Sequence, residues 1–462
     1  MKKTWRKLTS VVALILVAVM VAACGGNGNG NGNGNGGAAG GDTTPGTGNG
    51  GGATGAAPQI IAQGVTEDEI SIGMVFPVSG WAAFFGVPIR DVIEAVINRA
   101  NAHGGIGGKQ INFIFHDDGG DPFQGHVLIE SLVEEDRVFA LTGLSGAHAA
   151  MSLDYLLGFG IPIVNMTGGA GFLYSEHNPG GTLFNVQPSN NIDSPLLLAR
   201  ILATPLFGEN GDEYFTDGAP IGFVTAPTEA GFELAAVLED VAHDIGVHDQ
   251  LVIDFATADI YHTVVHQMMA AGVEAVIYAG MGGMAFVSAM YDAGWQVPIF
   301  GTYGLSVYTA WSPDTYSPGR RIFANAWAEN ESPQAIAMLD DMRDALNYLD
   351  RLNDAERDAY IHNGFAQVGY WVGTVLVTAL QRFPELGLDW SWENFIVAME
   401  HAPFDMGGAP EFSFANGRRM GVEQLALWEF SVNAAGEIEF GLVSDFDTLD
   451  EILAPWRIRT GR

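Results

Sequence analysis

The feature that most constrains this chain is an alternation of short apolar runs with helical patterns, begun at Ile70 and repeated in a second series. Ile70–Phe76, Gln110–Phe115, Val138–Thr142 and Ile161–Asn165 read as strands, the first closed by Pro77. Between them, Asp91–Ala102, the stretch opened by Asp121-Pro122 and running through Glu135, and a stretch to about Phe159 read as helices. After a break around Asn185–Ser189 the rhythm returns. Strands fall at Ile221–Thr225, Leu251–Phe255, Ala275–Tyr278 and Pro298–Phe300, with helices at Ala230–His243, Tyr261–Ala271 and up to Ala293. Such alternation builds parallel sheets covered by helices, so the spacing predicts an α/β chain with two successive open units. The tail differs: Pro333–Leu352 and Phe365–Arg382 read as long helices, and Gln424–Phe430 with Glu437–Val443 as an antiparallel pair.

Ahead of the body stands a different kind of sequence. Lys2, Lys3, Arg6 and Lys7 form a positive region, Val11–Ala23 is unbroken apolar sequence, and Val21-Ala-Ala-Cys24 follows. The run suits a signal-peptide core and is short for a membrane span. Cys24 is the only cysteine. The pattern looks like a bacterial lipobox, in which this thiol is acylated and becomes the new N-terminus; an ordinary secretory signal ending in cysteine is the plainer reading. From Gly25 to about Ala57 the chain is almost wholly Gly, Asn, Ala and Thr. It cannot bury enough apolar surface to offset its ordering entropy, so a flexible tether reaching roughly 30 Å is expected. The expected division is a signal at 1–23 and a lipidated cysteine with tether at 24–67.

Composition then excludes function classes. The formal net charge is −34, and Lys109 is the only lysine after the signal. Nucleic acid and anionic headgroups need basic patches, so neither is an expected partner. A saline or alkaline habitat and a generally solvated acidic surface explain the charge equally well. With Cys24 acylated, stability rests on apolar burial, for which 48% hydrophobic residues suffice.

Several stretches carry a family likeness. Ile72-Gly-Met-Val-Phe-Pro-Val-Ser-Gly80, Ile97-Asn98 with Gly104-Gly-Ile-Gly-Gly-Lys109, His116-Asp-Asp-Gly-Gly-Asp-Pro122, and Phe404-Asp405 with Phe412-Ser-Phe-Ala-Asn-Gly417 occur in that order. Together they resemble the type I periplasmic-binding-protein family, in particular the leucine/isoleucine/valine-type binding proteins of ABC transporters. The likeness covers nearly all of residues 68–440. It implies two Rossmann-like lobes with parallel sheets joined by a three-strand hinge, with the ligand in the cleft between them. The crossovers are expected near Gln187–Ser189, Phe323–Ala326 and Asp405–Phe412. Lobe one is then 68–187 plus 325–405, and lobe two 189–323 plus 406–455. The implied role is a lipid-anchored, monomeric solute-binding protein on the extracytoplasmic face of a bacterial membrane. It would deliver a small-molecule solute, an amino acid or relative, to an ABC permease. The alternative is a tethered sensor presenting an amide, urea-like or aromatic-acid ligand to a membrane receptor.

Ligands of open α/β sheets bind beyond the carboxyl ends of the strands. The loop from Ser79 through Trp81 to Phe85 offers an aromatic wall. Ser145 and Gly146 open a helix whose unpaired N–H groups suit a carboxylate, although Ser145 also reads as a simple N-cap. Thr167, Gly168 and Gly169 follow the fourth strand, where glycines let backbone donors approach closely. The family's binding loops map its anion clamp onto Ser145, Gly168 and Gly169. In lobe two the sequence departs from the resemblance. Ala230 stands before Gly231 where the leucine-type binders have tyrosine, and Tyr303 stands where they have the glutamate that pairs with the ligand's ammonium group. Either another acid such as Glu229 takes over, or the ligand lacks an α-amino group and meets an aromatic box of Trp81, Tyr278 and Tyr303.

Other chemistry finds little support in the residues. His116-Asp117-Asp118 with Asp121 has metal-ligating types, yet reads more simply as a strand end and helix cap. No H-E-x-x-H, S-x-x-K, nucleophile elbow or P-loop occurs, and Gly168–Gly171 lacks the dinucleotide-binding spacing. No catalytic residue, metal or cofactor is therefore assigned, and the chain is not expected to be an enzyme.

Overall fold

Strands buried on both faces need almost uninterrupted apolar sequence, and the centre of the second sheet has it: Ile221–Thr225 and Ala275–Ala279 are buried at every position. The computed structural model describes residues 60–461 except 168–170, 172–177, 209, 281–282, 307–320, 329–331, 411–412 and 433–437. The expected signal, Cys24 and most of the expected tether lie outside the described residues.

The first sheet contains β1 (Ile60–Ala62), β2 (Val65–Thr66), β3 (Glu69–Val75), β4 (Gln110–His116), β5 (Ala140–Ser145), β6 (Ile163–Thr167) and β7 (Leu183–Phe184). Strands β4-β3-β5-β6-β7 run parallel, while β1 and β2 are antiparallel additions beside β3. The second sheet contains β8 (Ile221–Thr225), β9 (Leu251–Phe255), β10 (Ala275–Ala279), β11 (Ile299–Gly301), β12 (Ile322–Ala326), β13 (Leu425–Val432) and β14 (Ile438–Asp447). Here β9-β8-β10-β11-β12 are parallel, and β13 and β14 close the edge antiparallel. Both parallel sets thus have the doubly wound order 2-1-3-4-5.

Helices α1 (Ala83–Ala102), α2 (Pro122–Glu134) and α3 (Gly146–Phe159) connect the first set; α4 (Asn190–Ala203) leads out of it. The second set is linked by α5 (Glu229–Asp244), α6 (Tyr261–Ala270), α7 (Gly283–Asp292) and the short α8 (Tyr303–Ser306). Then come α9 (Pro333–Leu346), α10 (Asp354–Ile361), α11 (Gly364–Leu386), α12 (Trp392–Glu400) and, after the last strand, α13 (Leu449–Thr460). Helices α9 and α11 pack on α1, so the chain returns to cover the first sheet, while α13 packs on α4. An ionic knot fixes that return. Asp91, 2% exposed, meets Arg90 at 2.6 Å, Arg351 at 2.7 Å and the Tyr360 hydroxyl at 2.8 Å.

Two glycines let a helix start crowd the loop before it. A Cβ at Gly86 in α1 would lie 1.6 Å from the Pro77 carbonyl oxygen, and one at Gly231 in α5 would lie 2.0 Å from that of Ala226. The pair occupies matching places in the two sheets, each at the helix that follows the switch-point strand.

Several expected boundaries move. The tether does not run to 67: β1 and β2 form a hairpin, Val65 is 1% exposed, and Lys109 Nζ donates to the carbonyls of Thr66 and Glu67, each at 2.7 Å. The helix expected from Asp91 begins at Ala83, because Pro88 lies within its first turns, where few carbonyls are displaced. Pro333–Leu352 is broken after Leu346, since Asn353 and Glu356 form a capping box that starts α10. The second crossover follows Ala326, as 322–326 is a central strand of the second sheet. The third comes later than Phe412. Phe414 packs on Phe184 at 5.3 Å, and Asn185 bridges to Met420, which keeps 413–421 with the first sheet. Among the described residues no helix is long and apolar enough to cross a membrane.

Candidate functional site

A doubly wound sheet opens a crevice where its strand order reverses, between β3 and β5 in the first sheet and between β8 and β10 in the second. In the first sheet this brings the loop after β3 beside the start of α3. Trp81 sits in a 3-10 turn, Gly80–Ala82, leading into α1. Phe85 lies one turn on, its ring 5.1 Å from Phe84 and 5.8 Å from Phe76. Asp117, at the end of β4, accepts N–H bonds from Val78 at 3.0 Å and Gly119 at 2.9 Å, tying the two loops together. Burial works against its charge, but these bonds and those from Ser79 hold its carboxyl below the ordinary range. Asp121 caps α2 through the N–H groups of Phe123 and Gln124. The acidic stretch after the second strand is thus engaged in turn and cap bonds.

Ser145 is the last residue of β5 and the N-cap of α3, with φ −65° and ψ 135°. Its side chain makes no capping hydrogen bond. Ser145 thus holds the N-cap position without a side-chain cap bond, and its hydroxyl stands at the start of a 14-residue helix whose first N–H groups carry positive dipole. Gly146 is the first helical residue and partly exposed. Thr167 ends β6 as the register partner of Ser145, so the two strand ends stand side by side. Gly168 and Gly169, like Cys24, lie outside the described residues.

The second wall is built around Tyr303. Its N–H donates to the Asp193 carboxylate at 3.0 Å, and its hydroxyl accepts from Gln187 Nε2 at 3.0 Å. Asn325 Nδ2 donates to the same carboxylate at 2.8 Å. Asp193 belongs to α4, Gln187 to the first crossover and Asn325 to β12, so this network joins the hinge to the floor of the second sheet. Asp193 is 1% exposed; burial pushes its carboxyl up to about 7, against the opposing hydrogen bonds from Asn325 and Tyr303. Burial and then the neighbouring Asp193 charge also raise the Tyr303 phenol, which stays neutral. Glu229 opens α5 behind the N-cap Thr228.

The expected aromatic box needs a correction at Tyr278. That ring is 4% exposed, stacks on Phe286 at 5.6 Å and pairs its hydroxyl with Tyr261 at 3.0 Å. It belongs to the apolar cluster that also holds Val224 and Trp295. The structure does not bring it to Tyr303, whose ring neighbour is Trp327 at 6.2 Å. Three residues were missed in the sequence: Phe365, Gln187 and Asp193. Phe365 approaches Phe84 at 5.8 Å and Phe85 at 5.9 Å, extending the aromatic wall. The first-turn position of Asp193 reads in sequence as an ordinary dipole partner. Only the fold shows that, among the described residues, its carboxylate is met by the Tyr303 N–H and Asn325 Nδ2 and by no basic side chain.

Comparison with known proteins adds the following. A family model described as periplasmic binding protein matches residues 69–436. Leu/Ile/Val-binding protein homolog 2 of Brucella abortus is 35% identical over 83 residues, and the chain spans only 22% of that relative's length. Leu/Ile/Val-binding protein homolog 3 of Brucella melitensis is 24% identical over 304 residues, 65% of this chain and 77% of the relative. Among solved structures, a branched-chain amino acid ABC transporter protein from Thermus thermophilus with bound valine superposes with TM-score 0.65. It shares 16% identity, over 86% of this chain and all of that one. A solute-binding protein from Rhodopseudomonas palustris in complex with 3,4-dihydroxy benzoic acid gives TM-score 0.62 at 16% identity, over 83% of this chain and 99% of that one.

Proposed function

Since the chain belongs to the periplasmic binding protein family, we propose that it is the extracytoplasmic solute-binding component of an ABC importer. It captures a small carboxylate-bearing solute between its two lobes and presents the closed form to a membrane permease. The lobes of this reading are 68–187 with about 327–421, and 189–326 with the strands and helix after 424. Ligand that touches both walls shifts the population toward closure.

The observation that carries the reading is the pairing of an uncapped helix start at Ser145 with a phenol wall at Tyr303. The first suits an anion, since charge-assisted hydrogen bonds to a carboxylate are stronger than neutral ones. The second offers a neutral hydroxyl and a ring face. The acid in contact with Tyr303 is Asp193, and it is spent on a backbone N–H and on Asn325 in a buried setting. That favours an amine-free acid, of the kind held by the Rhodopseudomonas palustris protein, over the valine held by the Thermus thermophilus one. Trp81, Phe85, Phe365, Ser145, Gly146, Thr167, Gly168, Gly169 and Tyr303 are the proposed ligand contacts.

Membrane attachment through acylated Cys24 belongs to the same proposal, the Gly/Asn-rich segment serving as tether. A thermal-shift screen of the purified protein against aromatic acids, aliphatic acids and branched-chain amino acids tests the ligand class. A ligand at 100 times its dissociation constant adds about 2.7 kcal/mol. A shift with amine-free acids alone supports the reading; a shift only with leucine, isoleucine or valine overturns the substrate class. No shift with any acid overturns the anion clamp.

A further inference from the structure

The three crossovers enclose a second space. A cavity of about 250 Å³ is walled by Val186 from the first crossover, Trp327 from the second, Met406, Ala409 and Val422 from the third, and Trp371 of α11. Phe85, Ser145 and Tyr303 do not line it. Trp327 and Trp371 are 5% and 2% exposed and meet edge to face at 4.6 Å. The indole N–H of Trp371 is already donated to the Met406 carbonyl at 2.8 Å, so its polar edge is satisfied. Among the lining residues, Arg418 pairs with Glu423 at 2.6 Å, while its Nε is buried without a hydrogen-bond partner among the described residues.

The chemistry of an occupant follows from these walls. A cavity of about 150 Å³ lined by apolar side chains holds benzene, so this one admits a single ring with a substituent. Indole, thioether and aliphatic groups favour an aromatic body, while Ser413, Gln424 and Thr448 also line the space and suit a polar substituent on it. The lining ion pair is neutral overall and the chain carries −34, which disfavours a net anion. The unpaired Nε offers one donor to an acceptor oxygen.

We infer that this hinge cavity is a second ligand site, separate from the interlobe cleft, for a neutral single-ring aromatic molecule carrying one hydrogen-bond acceptor. Its walls belong to the three segments that must bend when the lobes close. Trp327 touches both Trp371 in the cavity and Tyr303 at the cleft floor, at 4.6 and 6.2 Å. Occupation therefore biases closure, and by linkage a cleft ligand alters affinity here by the same factor. The assignment does not depend on the identity of the cleft ligand.

Benzamide is a suitable probe, with a ring for the indoles and a carbonyl for Arg418. Binding is read on the purified full chain by quenching of tryptophan fluorescence and by saturation-transfer NMR. Saturable millimolar or tighter binding is expected. It should be lost in Ala409→Phe, which fills the space, and weakened about tenfold in Arg418→Met, which removes the donor. Binding of toluene, which has no acceptor, should be unchanged in Arg418→Met. Should Ala409→Phe fail to fold by circular dichroism, Val422→Met serves as the filling variant. The inference is overturned if the wild-type chain binds no benzamide, or if binding survives filling. It is also overturned if binding is lost in Tyr303→Ala but kept in Arg418→Met, which would put the probe in the cleft.

Discussion

Asp193 offers the sharpest test of the site, because its carboxylate is buried with two neutral donors and no recorded cation. Replacement by asparagine keeps the shape and an acceptor oxygen while removing the charge. Burial moves the carboxyl from 3.8 to about 7. Each unit is worth about 1.36 kcal/mol, so the ionised form costs the folded state about 4 kcal/mol relative to the protonated one. The sign follows from the folded value being the higher: the stabilisation is complete below about pH 4 and is lost as pH rises to about 7. Below pH 4 the wild type holds a protonated acid nearly isosteric with the amide, and the two proteins should unfold alike. By pH 8 Asp193→Asn should be the more stable by about 4 kcal/mol. Denaturant midpoints of both proteins at pH 4, 5.5, 7 and 8 supply the comparison, the other carboxylates cancelling in the difference. A difference that stays constant across this range would refute the argument that Asp193 is an uncompensated buried acid.

Four further outcomes are expected. Ser145→Ala should weaken binding of a carboxylate ligand about tenfold by calorimetry while leaving the melting temperature unchanged, since no capping bond is lost; a destabilised variant would mean the hydroxyl is structural. Gly86→Ala and Gly231→Ala should each cost about 3 kcal/mol or more in denaturant unfolding, because their new methyl groups collide with backbone oxygens that cannot step aside. Arg351→Ala should cost about 2 kcal/mol, below the loss typical of a fully buried pair, as its side chain is 41% exposed and Arg90 still serves Asp91. Cys24→Ala should move the protein from the membrane pellet to the soluble fraction, and mass spectrometry of the wild type should find an acylated N-terminus; retention of the variant in the pellet would disprove the anchor.

Much of the fold could be read directly. The central parallel strands of the second sheet announce themselves because they are buried on both faces and so are almost wholly apolar, as in Ala275–Ala279. The sites of crossing were harder. Ile322–Ala326 is a short run with alanine and asparagine, and only its pairing with β11 and β13 makes it a strand rather than a hinge. The hairpin at Ile60–Thr66 has too little sequence of its own to be recognised; it exists because β3 and Lys109 receive it. In the site, strand-end loops pointed to Ser145 and Tyr303, since position alone brings such residues to the crevice. Tyr278 misled for the same reason: alternation along a strand decides which face a side chain takes, and a fully apolar strand hides that alternation. Phe365, Gln187 and Asp193 escaped because their proximity to the site comes from contacts between segments far apart in the chain, which no local pattern encodes.

Neither lobe is written as one continuous stretch of chain, and this sets the order in which the molecule can come into being. The first sheet is covered by α11 from residues 364–386, and the second is completed by β13, whose Leu427 pairs with Asn325 a hundred residues earlier. A chain emerging from its N-terminus leaves the first core uncovered until residues 364–386 are available and the second incomplete until residue 430 or so, since the long-range contacts have to wait for their partners. Such a sequence resists premature folding. Both lobes are complete only once these last strands have been made.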